Sequence, residues 1–512
     1  MRKLLPFMLL GIFALSLNAQ VNSKITELEY PFAAPGTEVS RGVFGKDDRK
    51  EIKDSEGFKD FARATAVMIN KESVYNNEFY SWSLRERLQR QFGTNRFDEN
   101  VKFLDQPALG SCTGFLIATD ILVTAGHCIN SMEDANKFVW VFDYTSDSDF
   151  IDGRRLRFKD QNIYEVESII TSKLDDDTDD DYAILRLNRK SNIAPYRFRT
   201  SGTVLEDGAI NTIGSPTGLP LKLATNAIVI DNSPSNWFKS NIDSFPGNSG
   251  GPVFDQNGFI EGILVKGAVE YSGSRYTGDY KYDSNCDCVK TVQWNNVNYT
   301  AGCQAHKITA VPPSPLVMAV YENLEYAINN NLKERFNSWN IYSWIYNYNY
   351  SNQMGRLENL ALNNNNLYFF QSILSTTAET LSDDNSRDLI DSAIADNNLK
   401  ALKILLNKNL LADAGINSKY TALQSAIING KNLVVETLIY YGADTKIRTS
   451  NGDTLLHIAA RNGNLNLVKI LLKNGLNAGT KNNSKKRPEQ VAKKARHKSL
   501  AKYLKKARKG RL

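Results

Sequence analysis

Histidine and cysteine are scarce in this chain, and long apolar runs are nearly absent. The 512 residues include only four histidines and five cysteines. A catalytic histidine therefore has few possible positions, and at least one cysteine stays unpaired within the chain. Beyond the N-terminus, no apolar run reaches the roughly 20 residues that span a bilayer. The sequence therefore predicts no transmembrane helix.

The N-terminus has the pattern of a secretory signal peptide. Arg2 and Lys3 precede an apolar run, and the small residue Ala19 precedes Gln20. This pattern predicts a signal peptide over residues 1–19. Residues 20–41 contain Pro and Gly without periodicity, which predicts a pro-segment or a flexible lead-in. We therefore expect a protein that is secreted or periplasmic.

The length and the changing texture of the chain predict a multidomain protein. Residues 42–312 contain short runs such as FLIATDILVTA, YAILRL and IEGILV, broken by Gly, Asp, Asn and Pro. Runs of this length and spacing predict the strands of an all-β domain. After Pro312 the pattern becomes helical, and residues 313–350 are interpreted as a linker or a degenerate repeat.

Self-similarity at a period of about 33 residues marks residues 351–512. Two copies align Thr421 with Thr454 and Ala426 with Ala459, and the second copy contains TLLHIAA. This region resembles an ankyrin-repeat domain of about four or five units, which implies an all-α solenoid. Ankyrin stacks bind other proteins, so we expect a protein partner that the sequence does not identify.

The C-terminal repeat ends in a basic segment, KKARHKSLAKYLKKARKGRL, which is interpreted as a terminal cap. The formal net charge of the whole chain is only +6, so the placement of the positive charge matters more than its total. The segment either forms a solvated helix face or binds weakly to an anionic surface.

His127 is the best candidate for a catalytic histidine. The other three have simpler explanations, since His457 lies in the ankyrin motif, His497 in the basic cap and His306 near the domain end. His127 follows two apolar strands in GSCTGFLIATDILVTAGHC, and Cys112 and Cys128 bracket this hairpin. A disulfide between them would close a loop of about 15 residues and stabilise the fold by about 3 kcal/mol.

A histidine that acts as a general base needs a carboxylate to fix its tautomer. In LDDDTDDDYAILRL, Asp181 is the last acid before an apolar strand, so it is predicted to enter the edge of the core. The acids of residues 175–180 are interpreted as a solvated loop, with a calcium site as the alternative.

Ser249 supplies the nucleophile, in PGNSGGPVF. The patterns TAGHC, DYAIL and GNSGGP occur in that order, and together they resemble chymotrypsin/trypsin-like serine peptidases over residues 42–312. The resemblance implies a double β-barrel and a triad of His127, Asp181 and Ser249, with an oxyanion hole formed by the backbone N–H groups of Gly247 and Ser249. It implies hydrolysis of protein or peptide substrates through an acyl-enzyme, with no cofactor and no metal.

Within this family the chain is most similar to the bacterial glutamyl-endopeptidase-like branch, through GVFGKDDRKEI, IGSPTGLPLKLA and NIDSFPGNSGGPVF. Asn248 stands where zymogen-type members have an aspartate that pairs with a new N-terminus, so activation by that ion pair is not expected. The alternative to an active enzyme is a catalytically silent, peptidase-like binding protein.

By the same resemblance, Asp243 lies at the base of the primary specificity pocket and Gly267 leaves one wall open. An acid there implies a preference for Arg or Lys, although relatives with such an acid do not all show it. Leu264 replaces the histidine that binds glutamate, which argues against a glutamate preference.

The remaining cysteines form a CxC…CxxH pattern of Cys286, Cys288, Cys303 and His306. A disulfide of Cys303 with Cys286 or Cys288 is expected in an exported chain, with a zinc site as the alternative.

Overall fold

The structure is a computed structural model that describes residues 47–267, 271–272, 275–276, 279–293, 302–340, 351–377, 383–408, 415–416 and 420–511. The predicted signal peptide and lead-in lie outside these residues. None of the described helices is long and apolar enough to cross a membrane.

The N-terminal part of the described chain is built almost entirely from short strands. They are β1 (Lys50–Glu51), β2 (Thr65–Asn70), β3 (Val74–Tyr75), β4 (Glu78–Tyr80), β5 (Cys112–Leu116), β6 (Ile121–Thr124), β7 (Phe138–Phe142), β8 (Asp149–Asp152), β9 (Arg155–Arg157), β10 (Ile163–Tyr164), β11 (Val166–Asp175), β12 (Asp180–Leu187), β13 (Ala209–Gly214), β14 (Lys222–Asp231), β15 (Trp237–Ser240), β16 (Pro252–Phe254), β17 (Ile260–Lys266), β18 (Tyr271–Ser272), β19 (Arg275–Tyr276), β20 (Tyr280–Asp283), β21 (Cys288–Thr291) and β22 (Cys303–Lys307).

Two seven-stranded antiparallel sheets carry the core. The first has the order β10-β7-β2-β5-β6-β12-β11, and the second has the order β1-β14-β13-β16-β17-β22-β15. Strand β15 also pairs with β14, so six strands of the second sheet close into a barrel. Large apolar side chains such as Phe115, Trp140 and Phe254 are fully buried inside these sheets. The predicted double β-barrel is confirmed.

Helices form the second half of the described chain and a few insertions in the first. They are α1 (Phe58–Phe61), α2 (Leu84–Phe92), α3 (Met132–Ala135), α4 (Pro313–Asn329), α5 (Lys333–Asn340), α6 (Ser351–Asn363), α7 (Leu367–Thr377), α8 (Asp383–Ala395), α9 (Leu399–Asn407), α10 (Ala422–Ile428), α11 (Asn432–Tyr440), α12 (Leu455–Arg461), α13 (Leu465–Lys473), α14 (Pro488–Lys494) and α15 (Lys498–Arg508). A short pair, β23 (Gly415–Ile416) and β24 (Tyr420–Thr421), precedes α10.

From α6 onward the helices form successive antiparallel pairs, which confirms the predicted helical repeats. The turn inside each pair contains one residue with positive φ at a regular spacing, namely Asn365, Asn397, Gly430, Gly463 and Arg496. Side chains bridge neighbouring pairs, as in the hydrogen bond of 3.3 Å from Asn398 to Asn365. Each pair buries its apolar face only against its neighbours, as expected of a solenoid.

The pair α4–α5 continues this stack toward the barrels. Asn331 in its turn also has positive φ, and Asn366 donates a hydrogen bond of 2.7 Å to its side chain. On the barrel side, Asn323 donates to the carbonyl of Ile117 at 3.0 Å. Residues 313–340 therefore form a helix pair that joins the two halves, while their interpretation as a linker or a degenerate repeat stays a prediction, as do the domain boundaries.

Candidate active site

His127 lies in the tight turn that follows β6, and the structure joins its neighbour Cys128 to Cys112 of β5 by a disulfide. Strand β6 pairs with β12, which places this turn beside Asp181. The turn approaches β11 so closely that a Cβ added at Gly126 would lie 2.2 Å from the backbone oxygen of Lys173. The glycine in TAGHC is therefore required by contact with the neighbouring strand.

Asp181 holds His127 through both carboxylate oxygens. Its Oδ2 lies 2.7 Å from His127 Nδ1, and its Oδ1 accepts a hydrogen bond of 2.9 Å from the backbone N–H of His127. The Asp181 side chain is 8% exposed, whereas the imidazole is 35% exposed. A buried carboxylate at Nδ1 fixes the tautomer that carries hydrogen there, and this leaves Nε2 as the basic nitrogen.

Ser249 is half-buried on the turn that precedes β16, and its backbone contacts the hairpin that carries His127. Its carbonyl accepts a hydrogen bond of 2.8 Å from the N–H of Thr113 and lies 3.7 Å from Cys128 Sγ. Within the described chain, the Ser249 hydroxyl makes no hydrogen bond, including none to His127. Such a bond often forms only once substrate is bound. The structure thus bonds His127 to Asp181 directly and connects Ser249 to them through the backbone.

The turn of residues 246–250 is called the serine turn below. In it, the backbone N–H groups of Gly247 and Ser249 have no acceptor among the described residues. The neighbouring backbone N–H groups do have acceptors. That of Asn248 donates to the carbonyl of Phe245 at 3.0 Å, and that of Gly250 donates to the carbonyl of Leu264 at 2.6 Å. Unpaired N–H groups on a rigid turn are suited to receive a developing oxyanion. These two groups are the ones assigned to the oxyanion hole from the sequence, and that role stays a prediction.

Gly247 has a φ of +100°, and a Cβ added there would lie 2.4 Å from the carbonyl oxygen of Ser215. Backbone blocks this position, so Gly247→Ala is expected to rotate the peptide and misplace both N–H groups. We expect kcat/KM for a peptide substrate to fall about 10²- to 10³-fold, the effect of losing one oxyanion donor. Gly153→Ala is the control, since a Cβ at Gly153 would meet nothing within 4 Å. Full activity of Gly247→Ala would contradict this role.

Thr113 is a positioning residue that the sequence analysis missed. Its hydroxyl donates to the Gly247 carbonyl at 2.7 Å, and its carbonyl accepts from the hydroxyl of Thr124 at 2.8 Å. Together with its N–H bond to Ser249, these contacts connect the serine turn to the histidine hairpin. Its place directly after Cys112 is the signal that could have found it.

Asp243 is more buried than the expected pocket acid. It is 2% exposed, and its Oδ2 accepts a hydrogen bond of 3.2 Å from the backbone N–H of Asp48. Burial, reinforced by the nearby carboxylates of Asp48 and Asp47, raises the pKa of Asp243 well above its usual value. Burial among other carboxylates disfavours the charged form of Asp243, which weakens the expectation of a preference for Arg or Lys based on charge. Gly267 is open, since an added Cβ would lie no nearer than 3.8 Å to Ser244.

Arg49 lies beside this acid cluster. Its guanidinium is 3.7 Å from the ring centroid of Phe245 and pairs with Asp47 at 2.6 Å. The segment of residues 47–51 therefore packs directly behind the serine turn, a contact between residues almost 200 positions apart that no local pattern could reveal.

The carboxyl of Asp48 predicts a pH-dependent stability. Burial, with the like charge of Asp47, raises the pKa of Asp48 to about 6. The pKa of Asp48 is therefore higher in the folded protein than in the unfolded chain, where it is near 4. The contribution of Asp48 to the free energy of unfolding is fully present below pH 4 and is lost as the pH rises through 6. We expect Asp48→Asn to have an unchanged melting temperature at pH 4 and to be more stable than the wild type at pH 8, by about 2 kcal/mol.

Thermal unfolding from pH 4 to pH 8 measures this difference, with the exposed Asp54→Asn as the control. A difference in stability from the wild type that is equal at both pH values would show that folding does not shift the pKa of Asp48.

The expected pairing of Cys303 with Cys286 or Cys288 is wrong. The structure joins Cys286 to Cys288 at the tip of the β20–β21 hairpin, and Cys303 belongs to no disulfide. Cys303 is 1% exposed in β22, where it pairs with Ser240 of β15 inside the closed barrel. Strand pairing thus separates it from the hairpin tip.

The zinc and calcium alternatives fit the structure poorly. His306 is fully buried against Tyr182, and its Nε2 lies 3.2 Å from Asp180. Burial acts to raise the pKa of Asp180, yet hydrogen bonds from Lys173, Thr178 and His306 lower it below its usual range. The two groups of three possible metal donors found in the described ranges each contain a disulfide pair, whose sulfurs are not free thiolates.

Comparison with known families matches residues 112–263 to "Trypsin-like peptidase domain" and residues 429–511 to "Ankyrin repeats (3 copies)". Over 97 residues the chain is 30% identical to the Notch-regulated ankyrin repeat-containing protein of Xenopus tropicalis, covering 18% of this chain and 85% of that protein. Its counterpart B in Danio rerio is 32% identical over 88 residues, covering 16% of this chain and 79% of that protein.

A third relative matches a longer stretch. The protein named extracellular metalloprotease from Bacillus subtilis (strain 168) is 25% identical over 197 residues, which covers 35% of this chain and 59% of that protein. The glutamyl-endopeptidase-like branch stays a prediction. The chain therefore contains a trypsin-like peptidase domain over residues 112–263 and ankyrin repeats over residues 429–511.

Proposed function

We propose that this protein is an exported serine endopeptidase whose ankyrin repeats bind another protein. One observation carries the proposal. The His127–Asp181 pair lies beside a serine turn that presents two N–H groups without an acceptor among the described residues. This arrangement supplies a base, its orienting carboxylate, a nucleophile and an oxyanion site together.

The proposed reaction forms and then hydrolyses an ester. Nε2 of His127 takes the proton of the Ser249 hydroxyl as Oγ attacks the substrate carbonyl carbon, and the new oxyanion is bound by the N–H groups of Gly247 and Ser249. The imidazolium then gives its proton to the leaving amine, the C–N bond breaks, and an acyl-enzyme remains. Water attacks this ester with His127 as the base and restores the free hydroxyl.

Two other functions are weaker. A metal-dependent protease is suggested by the name of the Bacillus subtilis relative, but the donor groups described above include disulfide sulfurs. A silent, secreted protein-binding module is the other alternative, and the intact His127–Asp181 contact argues against it because nothing else in the described structure uses the half-exposed imidazole.

The ankyrin half is proposed to hold a substrate or partner protein near the peptidase. Its last helix, α15, exposes Lys502, Lys505 and Lys506, and Lys509 follows it. These charges support weak binding to an anionic surface as a further proposal. Secretion or a periplasmic location follows from the predicted signal peptide alone.

A fluorophosphonate probe tests the enzymatic proposal. We expect covalent labelling of the full-length protein, mapped by peptide mass spectrometry to Ser249, and peptide hydrolysis that persists in 10 mM EDTA. Activity that is lost to the chelator and insensitive to the probe would instead favour the metal-dependent reaction. A protein that is neither labelled nor able to cleave a mixed peptide library would favour the silent binding module.

A further inference from the structure

An open groove of about 520 Å³ lies beside the turn that carries Thr217, and the reaction proposed above does not use it. Its walls come from β4, from helix α2 and from the segment before β5, and they include Tyr80, Trp82, Arg87, Arg90 and Leu109. Trp82 is 42% exposed, so its ring offers an apolar surface within the groove.

The groove is positively charged. Arg87 and Arg90 are both exposed and, in the described part of the chain, neither pairs with a carboxylate. The guanidinium of Arg90 lies 4.3 Å from the ring centroid of Trp82. The neighbouring Arg154 is neutralised, because it pairs with Glu86 at 2.5 Å. Two unpaired cations therefore remain along one wall, beside an aromatic surface.

Hydrogen bonds connect this wall to the serine turn. Nη1 of Arg87 donates to the carbonyls of Ala108 and Thr217, both at 3.0 Å. The N–H of Thr217 donates in turn to Pro246, which precedes Gly247, at 2.5 Å. Thr217 thus links Arg87 of the groove to the serine turn.

The groove is connected to the part of the serine turn that precedes Ser249, whereas the expected pocket position Gly267 lies beyond the part that follows it. After Ser249 the turn runs toward β17, since Gly250 bonds to Leu264, and β17 leads to the pocket position Gly267. On the other side of Ser249, Gly247 packs against the backbone of Ser215 and Gly218. The carbonyl of Gly218 accepts a hydrogen bond of 2.7 Å from the N–H of Leu109, which lines the groove. A bound peptide that places its acyl part at the pocket therefore extends its leaving part toward the groove.

We propose that this groove, formed by Trp82, Arg87 and Arg90, is a subsite for acidic residues of the substrate within the first three positions after the cleaved bond. The proposal rests on the proposed function, because it assigns substrate selection to the same site. The arginines attract the carboxylate, and Trp82 contacts the aliphatic part of the side chain.

Internally quenched peptides test the subsite. Their acyl side is fixed to a sequence that a mixed library shows to be cleaved, and the three following positions carry Glu, Gln or Lys in turn. For the wild type we expect kcat/KM to be about fivefold to tenfold higher with Glu than with Lys in 20 mM salt, and nearly equal in 0.5 M NaCl. Arg90→Gln should lower the Glu/Lys ratio, and Arg90→Glu should invert it.

Arg85→Gln is the matched control, because Arg85 lies on the same helix, pairs with Asp105 at 2.7 Å and does not line the groove. It should keep the wild-type ratio. A wild-type ratio near one at low salt, or a ratio that Arg90→Glu leaves unchanged, would overturn the subsite. If the same acyl sequence carrying only p-nitroaniline is still cleaved, the serine peptidase assignment stands even then. If neither substrate is cleaved, both proposals fail.

Discussion

Ser249→Ala is expected to lower kcat by about 10⁶-fold, the effect of removing the nucleophile from a triad of this kind. The residual rate should remain about 10³-fold above that in water, because the N–H groups of Gly247 and Ser249 are unchanged. The side chain makes no hydrogen bond within the described structure and is half-buried, so the variant should fold normally. Steady-state hydrolysis of a peptide from the mixed library measures the loss.

Three controls make this result specific. The variant should no longer react with the fluorophosphonate, its melting temperature should stay within a few degrees of the wild type, and Ser201→Ala should keep both labelling and activity. Ser201 is exposed and belongs to neither the candidate triad nor the expected pocket. Peptide hydrolysis that survives Ser249→Ala would remove the assigned nucleophile and with it the acyl-enzyme route.

The sequence predicted the parts of the site that lie within short, continuous motifs. His127 could be found because it is one of four histidines and follows a strand pair, and Asp181 because it is the last acid before an apolar strand. The 33-residue repeat gave the helical half, since a repeated turn requires repeated residues in the sequence. Each of these features depends on neighbours along the chain.

The features that sequence reasoning missed depend on contacts between distant segments. Asp243 is buried against Asp47 and Asp48, which lie almost 200 residues earlier in the chain, and their charges together with burial raise its pKa. Cys303 is removed from its expected partners by its pairing inside the closed barrel. The groove combines α2 with Leu109 and the Thr217 turn. No spacing rule within one motif encodes these approaches.

The α4–α5 pair combines a feature that the local sequence predicts with one that depends on distant contacts. Its helices follow from the texture after Pro312, yet its function as a joint depends on Asn323, which bonds to Ile117 of the barrel and accepts from Arg335 at 2.6 Å. Arg186 of β12 also pairs with Glu322 at 2.9 Å. The strand that carries Asp181 is therefore in direct contact with the helical half.

Asp181→Asn is expected to lower kcat about 10⁴-fold while it preserves the fold. Both oxygens of Asp181 accept hydrogen bonds from His127, one from the backbone N–H and one from Nδ1. An asparagine has only one oxygen, so its NH₂ group must face one of these donors. If the oxygen stays with the backbone N–H, the imidazole moves its hydrogen to Nε2, and this proposed base can no longer take a proton.

A matched variant and NMR of the imidazole test this explanation. Asp180→Asn changes the neighbouring carboxylate, which bonds to Lys173 and His306 rather than to His127, and it should cost far less activity. NMR of the imidazole nitrogens should show hydrogen at Nδ1 in the wild type and at Nε2 in Asp181→Asn. Equal activity of Asp181→Asn and the wild type would mean that the 2.7 Å contact does not set the tautomer, and that the base must be sought elsewhere in the chain.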